Sequence, residues 1–254
     1  MTRLRVFLGT CAFVLTIALP VVAQRGPAPA ATNLPPEVIS LACAPTMTYE
    51  APAGSLHISG GQESTRRLSH APGDLVTINS GTRGGISVGQ EFYTRRVLKS
   101  GEAGVGHNNP GTIKTTGWIR VWAVDDEMSL ATITHACDTV DVGDYLEPFA
   151  PPTVPALSSL TGPPERDNYG LVLSGVDRRT QFGSGDYLLI NRGSAQGVTP
   201  GARFVVYHDQ KMPGNFLFQI AEAVAVDVKP DTATLHVLRA IDAISAGDYV
   251  GMRK

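Results

Sequence analysis

Residues 185–201 read GDYLLINRGSAQGVTPG, and residues 73–89 read GDLVTINSGTRGGISVG. The two stretches agree in register at an initial Gly-Asp pair, at an Ile-Asn pair and at three further glycines. The apolar residue after the second of those glycines is Ile86 in the first copy and Val198 in the second. Agreement at so many spaced positions indicates that the chain contains two copies of one module.

The residues that recur are those that turns between strands need. Glycine adopts positive φ at little cost, and Asp and Asn side chains bond nearby backbone N–H groups in turns. The stretch therefore predicts tight turns around one apolar residue that points into the mouth of a small barrel. The signature residues are Gly73, Asp74, Asn79, Gly81, Gly85 and Gly89 in the first copy, and Gly185, Asp186, Asn191, Gly193, Gly197 and Gly201 in the second.

Short apolar segments flank both copies of the signature, and several of them alternate apolar and polar residues as strands do. In the first copy they are residues 55–59, 91–97 and 118–124, and in the second they are 169–173, 203–207 and 220–228. Five or six short strands with this turn chemistry are typical of a small, strongly bent barrel or sandwich. We predict an all-β protein with two tandem small β-barrel or sandwich modules.

The amino terminus has the pattern of a secretory signal peptide. Arg3 and Arg5 precede an uncharged, largely apolar run over 6–23, and small residues at its end predict cleavage after Ala23. The alternative is a retained membrane anchor, but the run is short for a spanning helix and contains Pro20. We expect an exported protein of the periplasm or cell envelope, with no transmembrane span after cleavage.

Composition divides the remainder of the chain. The predicted boundaries are a signal peptide over 1–23, a Pro- and Ala-rich N-terminal tail over 24–43, a first barrel module over 44–149, a Pro-rich linker over 150–166 and a second barrel module over 167–254. The tail lacks the apolar residues that a core needs, although its end could form one short helical turn or strand. Closely spaced prolines prevent regular strand pairing in the linker.

Two cysteines, Cys43 and Cys137, remain after the predicted cleavage. Export makes a disulfide between them possible, and the chain-entropy account gives such a bridge about 4–5 kcal/mol for a loop of roughly 100 residues. The alternative is a pair of buried free thiols, because cysteine is often simply a small core residue. We expect the disulfide.

No pattern in the sequence indicates catalysis, and a net charge of −2 lacks the basic footprint of a nucleic-acid-binding protein. The glycine-rich stretches match neither the dinucleotide nor the P-loop fingerprint, and a strand rather than a helix follows them. The histidines form no metal-binding pattern, and the serines lack a nucleophile elbow. We therefore expect a non-enzymatic protein with no cofactor, no metal and no nucleic-acid partner.

Aromatic residues of the first module are the better candidates for binding. Trp118 and Trp122 are four residues apart on one predicted strand, so both would face the same side, and Tyr93 lies on a nearby strand. Such a surface could stack on a sugar ring or bind a peptide. The alternative is that these rings form the core of the module, as aromatic residues often do.

The signature, followed by a phenylalanine, a strand pair and a closing Gly-Asp-Tyr, resembles the C-terminal domain of flagellar assembly protein T. The phenylalanines are Phe92 and Phe204, and the resemblance covers residues 74–146 and 186–250. Similar small β-barrels occur in other bacterial cell-envelope proteins, including some that carry LysM modules, although this chain contains no LysM sequence. The resemblance implies a barrel fold and an envelope context, and it implies no catalytic residue.

Three functions follow from these observations. The first is a cell-envelope scaffold that binds other envelope proteins through strand edges or barrel mouths. The second is a peptidoglycan- or glycan-binding module that uses the aromatic residues of the first module. The third is a hydrolase with an unfamiliar active site, which would require a cleft with clustered His, Asp or Ser residues.

Overall fold

The computed structural model describes residues 34–50, 52, 56–62, 67–98, 110–165, 168–175, 179–211, 214 and 216–254. The predicted signal peptide and residues 24–33 of the predicted tail lie outside these residues. The first part of the chain forms α1 Pro36–Ala42, β1 Thr46–Thr48, β2 Ile58–Gly61, β3 Ser69–His70, β4 Leu75–Ile78, β5 Glu91–Leu98, β6 Gly111–Val124, β7 Ser129–Ala136, β8 Val140–Asp141 and β9 Tyr145–Pro148. The second part forms β10 Gly170–Gly175, β11 Gln181–Phe182, β12 Tyr187–Ile190, β13 Arg203–Asp209, β14 Leu217–Val228, β15 Ala233–Ala240, β16 Ile244–Ser245 and β17 Tyr249–Met252.

The strands form two antiparallel barrels of one topology, which confirms the predicted all-β class. Barrel 2 closes in the order β10-β12-β15-β14-β13-β17. Barrel 1 has the matching order β2-β4-β7-β6-β5-β9, and an isolated bridge between His57 and Tyr145 joins its two end strands. Each barrel also carries a two-stranded ribbon, β3 with β8 and β11 with β16. The sequence repeat is therefore a repeat of topology.

The signature stretch fills one end of each barrel. Its apolar residue, Ile86 or Val198, is buried and belongs to the apolar core of its own barrel. A single turn of 3-10 helix precedes it, Thr82–Gly84 in barrel 1 and Ser194–Gln196 in barrel 2. Gly85 ends the first of these turns at a φ of +82°, which explains why a residue without a side chain recurs there.

Gly81 and Gly193 recur for a different reason from the one that the turn pattern suggests. Both have extended backbone, with φ of −129° and −142°. A side chain on Gly193 would collide with the carbonyl oxygens of Lys229 and Pro230 in the β14–β15 hairpin. A side chain on Gly81 would meet the matching hairpin of barrel 1. These glycines allow close packing of two backbone segments.

The asparagines also act differently from the prediction, which assigned them to a local turn. Asn79 Oδ1 accepts a hydrogen bond from the His57 backbone N–H at 2.8 Å, and Asn191 Oδ1 accepts one from Leu171 at 2.7 Å. Each asparagine thus joins the end of one strand to a segment about twenty residues earlier. The aspartates do act locally, since Asp186 Oδ2 accepts from the Gly183 N–H at 2.8 Å.

One buried histidine distinguishes the two cores. His70 is 1% exposed, and within the described residues neither of its ring nitrogens has a hydrogen-bond partner. Its ring covers Gly61 in barrel 1, as the ring of Phe182 covers Gly175 in barrel 2. The equivalent residue of the second copy is therefore a phenylalanine, and its ring fits the same packing position.

We expect His70→Phe to raise the free energy of unfolding by about 1–3 kcal/mol, because it removes two buried polar atoms that lack partners among the described residues. Urea unfolding of the variant and the parent measures the change. Phe182→His is the matched control and should lower stability by a similar amount. A loss of stability in His70→Phe would mean that the imidazole makes a favourable interaction at this site.

The predicted linker has no strand over its described part, 150–165, and it packs along barrel 2. The Ser158 N–H donates to the Gly201 carbonyl at 2.9 Å, and the Gly162 N–H donates to that of Lys254 at 2.7 Å. The structure likewise places the end of the predicted tail in α1, which is packed against both barrels.

Candidate functional site

The segment from α1 to β1 lies between the two barrels. On one side, β1 pairs with the start of β6 in barrel 1. On the other, Thr46 Oγ1 donates to Asp227 Oδ2 at 2.9 Å, and Thr234 Oγ1 donates to the Pro45 carbonyl at 2.8 Å. The Ser40 hydroxyl is 2.7 Å from that of Tyr187. These contacts make the segment part of a junction that joins both barrels.

A disulfide fixes the end of α1 to barrel 1. Cys43 caps the helix at its C-terminus, and Cys137 directly follows β7. The two residues are joined with their Cα atoms 5.6 Å apart, across a sequence separation of 94. The helix is only seven residues long, so packing and this bridge, rather than helix propensity, hold it in place.

The aromatic residues predicted to form a binding surface lie beneath this helix. Trp118 is 1% exposed and Tyr93 is 6% exposed, and both pack with Ala42 of α1. The Tyr93 hydroxyl donates to the Ala150 carbonyl at 2.9 Å, and burial raises the pKa of this tyrosine. Trp122 is partly buried. Two of the three candidate rings are therefore covered by the protein itself in this structure.

An apolar groove of about 450 Å³ opens beside the junction. Its walls come from α1, from the linker and from the outer face of barrel 2. The groove is lined by Pro36, Glu37, Ser40, Leu41, Val154, Pro155, Leu157, Tyr187, Val224, Val226, His236 and Leu238. Val154, Leu157 and Leu238 are largely exposed, which is costly for large apolar side chains unless another surface covers them.

Burial shifts the pKa values of two titratable groups in the groove in the direction that favours their uncharged forms. Burial raises the pKa of Tyr187, while its hydrogen bond with Ser40 opposes that shift. Burial lowers the pKa of His236, and a hydrogen bond with the Gly185 backbone opposes that shift. The two rings pack with their centroids 5.0 Å apart. Apart from Glu37, the lining of the groove therefore suits an apolar ligand surface.

The barrel fold does not require this apolar face. In the aligned registers of β6–β7 and β14–β15, Val224 and His236 are equivalent to Arg120 and Thr132 of barrel 1. By the same alignment, Leu238 is equivalent to Thr134. Val226 and Tyr187, however, are equivalent to Trp122 and Leu75, so the first copy has polar residues on only part of this face.

The pair of His208 and Asp248 is the arrangement that most resembles a catalytic dyad. His208 Nδ1 lies 2.6 Å from Asp248 Oδ1, and the other carboxylate oxygen accepts the Ser245 N–H at 2.8 Å. Barrel 1 has Arg96 and Asp144 at the equivalent positions, with Arg96 Nε donating at 2.7 Å. In both copies the aspartate fixes the turn before the last strand. We therefore interpret the pair of His208 and Asp248 as structural.

A scan of protein-family models gives no match to the chain, and a search of curated proteins gives no significant match.

Within the described residues, no helix is both long and apolar enough to cross a membrane.

Sequence reasoning missed the junction and its groove. The residues of the groove come from three segments that are distant in the chain, so no local spacing brings them together. The one usable signal was the run of large apolar residues in the proline-rich linker, at Val154, Leu157 and Leu160, all of which are exposed.

Proposed function

We propose that this protein is an exported, non-enzymatic scaffold of the cell envelope, which binds another envelope protein through the apolar groove. The observation that carries the proposal is the groove itself, in which the large apolar side chains of Val154, Leu157 and Leu238 are exposed. Apolar side chains clustered on a surface in this way mark interaction sites in soluble proteins.

The location of the groove supports binding rather than catalysis. Its lining offers aliphatic side chains from three segments, with one glutamate, one serine, one tyrosine and one histidine. Such a lining favours burial of an apolar segment from a partner, at about 25 cal/mol for each Å² of apolar surface removed from water. Export and residence in the envelope rest on the signal-peptide pattern and on the resemblance to envelope barrels.

Glycan binding is the alternative function, and the burial of Trp118 and Tyr93 beneath α1 does not favour it. Sedimentation with purified peptidoglycan separates the two functions. A scaffold for proteins should stay in the supernatant, whereas a wall-binding module should sediment with the glycan. Sedimentation that Trp122→Ala abolishes would favour the alternative.

A pull-down tests the groove: the tagged parent and its variants are compared for the envelope proteins that they retain. We expect Leu238→Asp to reduce retention of the partner about tenfold, because a carboxylate in an apolar contact costs at least 1.4 kcal/mol. Leu173→Asp is the matched control, since Leu173 is 37% exposed on barrel 2 and lies outside the groove. Equal losses of partner retention in both variants would contradict binding at the groove.

A further inference from the structure

Three potential metal ligands meet at the edge of the junction. The Sγ atoms of Cys43 and Cys137 and a ring nitrogen of His135 all lie within 4.8 Å of one another. His135 belongs to β7, Cys137 follows the end of that strand, and Cys43 comes from the end of α1. Because Cys43 is far from the other two residues in sequence, no spacing motif reveals this cluster.

The disulfide prevents metal binding in the form that the structure describes, because thiolates rather than a disulfide are the sulfur ligands of metal ions. Reduction by a dithiol transfers two electrons and two protons to the bridge. The products are two thiols on this protein and one disulfide on the reductant. Both thiols then lie beside the imidazole of His135.

We propose that the reduced form is a site for Cu(I), held by the two thiolates and the imidazole. Binding would displace one proton from each thiol to solvent and would change no oxidation state. Thiolate ligands favour soft ions such as Cu(I), whereas structural Zn²⁺ sites take four protein ligands. Ligand atoms about 2.0–2.3 Å from a shared ion lie roughly 4 Å apart, which small shifts of these side chains would achieve.

The surroundings of the cluster suit a bound ion. The ring of His135 stacks on that of Trp118, with centroids 4.1 Å apart and an interplanar angle of 18°, and this contact fixes the orientation of the imidazole. A cavity of about 220 Å³ reaches both cysteines and gives an entry path.

The second barrel indicates that the fold does not need this cluster. The backbone N–H of Cys137 donates to the Thr116 carbonyl, as that of Ile241 donates to the Ile220 carbonyl in barrel 2. In this alignment, Ile241 of barrel 2 is equivalent to Cys137 of barrel 1, and Arg239 is equivalent to His135. The donor set is therefore specific to the first copy.

The test measures Cu(I) transfer from a chromogenic Cu(I) chelator under anaerobic conditions. Every sample carries Cys11→Ser, so that Cys43 and Cys137 are the only cysteines. The chain is reduced with a dithiol, which is then removed by gel filtration. We expect the reduced chain to withdraw one equivalent of Cu(I) and the oxidised chain to withdraw none.

The third ligand is tested with His135→Phe, which keeps an aromatic ring to stack on Trp118 but removes the ring nitrogens. We expect this variant to bind Cu(I) at least about tenfold more weakly than its parent. Circular dichroism verifies that it folds. Failure of the reduced parent to withdraw Cu(I) would overturn the proposal. Unchanged affinity in His135→Phe would also overturn it, because two thiolates alone would then account for binding.

Discussion

Gly193→Ala is expected to destabilise barrel 2 by roughly 3–5 kcal/mol, through overpacking and the loss of two backbone hydrogen bonds. The added Cβ would lie 2.5 Å from the Pro230 carbonyl oxygen and closer still to that of Lys229. The same two oxygens accept hydrogen bonds from the Ser194 and Ala195 N–H groups, each at 2.9 Å. Moving the hairpin away from the new methyl group would break both bonds. Urea unfolding, followed by circular dichroism, measures the loss.

Gly183→Ala is the matched control for this substitution. Gly183 also belongs to barrel 2, at the opposite end of β12, has no positive φ, and has no atom of the described residues within 4 Å of the position that a Cβ would occupy. We expect a change of less than about 0.5 kcal/mol there. Gly81→Ala should destabilise barrel 1 by an amount similar to that expected for Gly193→Ala in barrel 2. If Gly183→Ala and Gly193→Ala both changed the free energy of unfolding only slightly, the close packing of the turn against the hairpin would be contradicted.

Removal of the disulfide is expected to cost about 4–5 kcal/mol, because the closed loop spans 94 residues and cross-linking restricts the unfolded chain. The loss should appear as a lower melting temperature after treatment with a dithiol. It should centre on barrel 1, since the loop from Cys43 to Cys137 contains most of that barrel.

Cys137→Ala provides the control for reduction. Its melting temperature should match that of the reduced parent and should not change on addition of the dithiol. A parent whose melting temperature is the same before and after reduction would show that the bridge does not constrain the unfolded chain. Cu(I) should restore part of the lost stability, because a ligand that binds only the folded state stabilises it.

The repeated signature predicted the fold because each of its residues meets a local requirement of the backbone. Gly73, Gly85 and Gly89 have φ between +82° and +90°, and the same holds at Gly185, Gly197 and Gly201. The strands between them follow from apolar patterning, which the barrel interior imposes within each copy. Where the prediction was wrong, as for Asn79 and Asn191, the contact joins strands that are separated in sequence.

The junction could not be predicted for a related reason. Residues 24–43 have the composition of a tail, and the apolar residues of α1 are too few to indicate packing. Its contacts, such as that of Thr46 with Asp227, join residues 181 positions apart. Trp118 packs against this docked helix as well as against His135 and Phe149. Long-range packing of this kind leaves no periodic signal in the sequence.

Site-specific photocrosslinking in intact cells tests most directly whether the groove binds a protein partner. A photoreactive amino acid replaces Leu238, which is 44% exposed in the groove, and in a second strain it replaces Leu173 outside the groove. We expect a discrete crosslinked envelope protein from position 238 and none from position 173. No crosslinked protein at position 238, or the same products from both positions, would contradict the account.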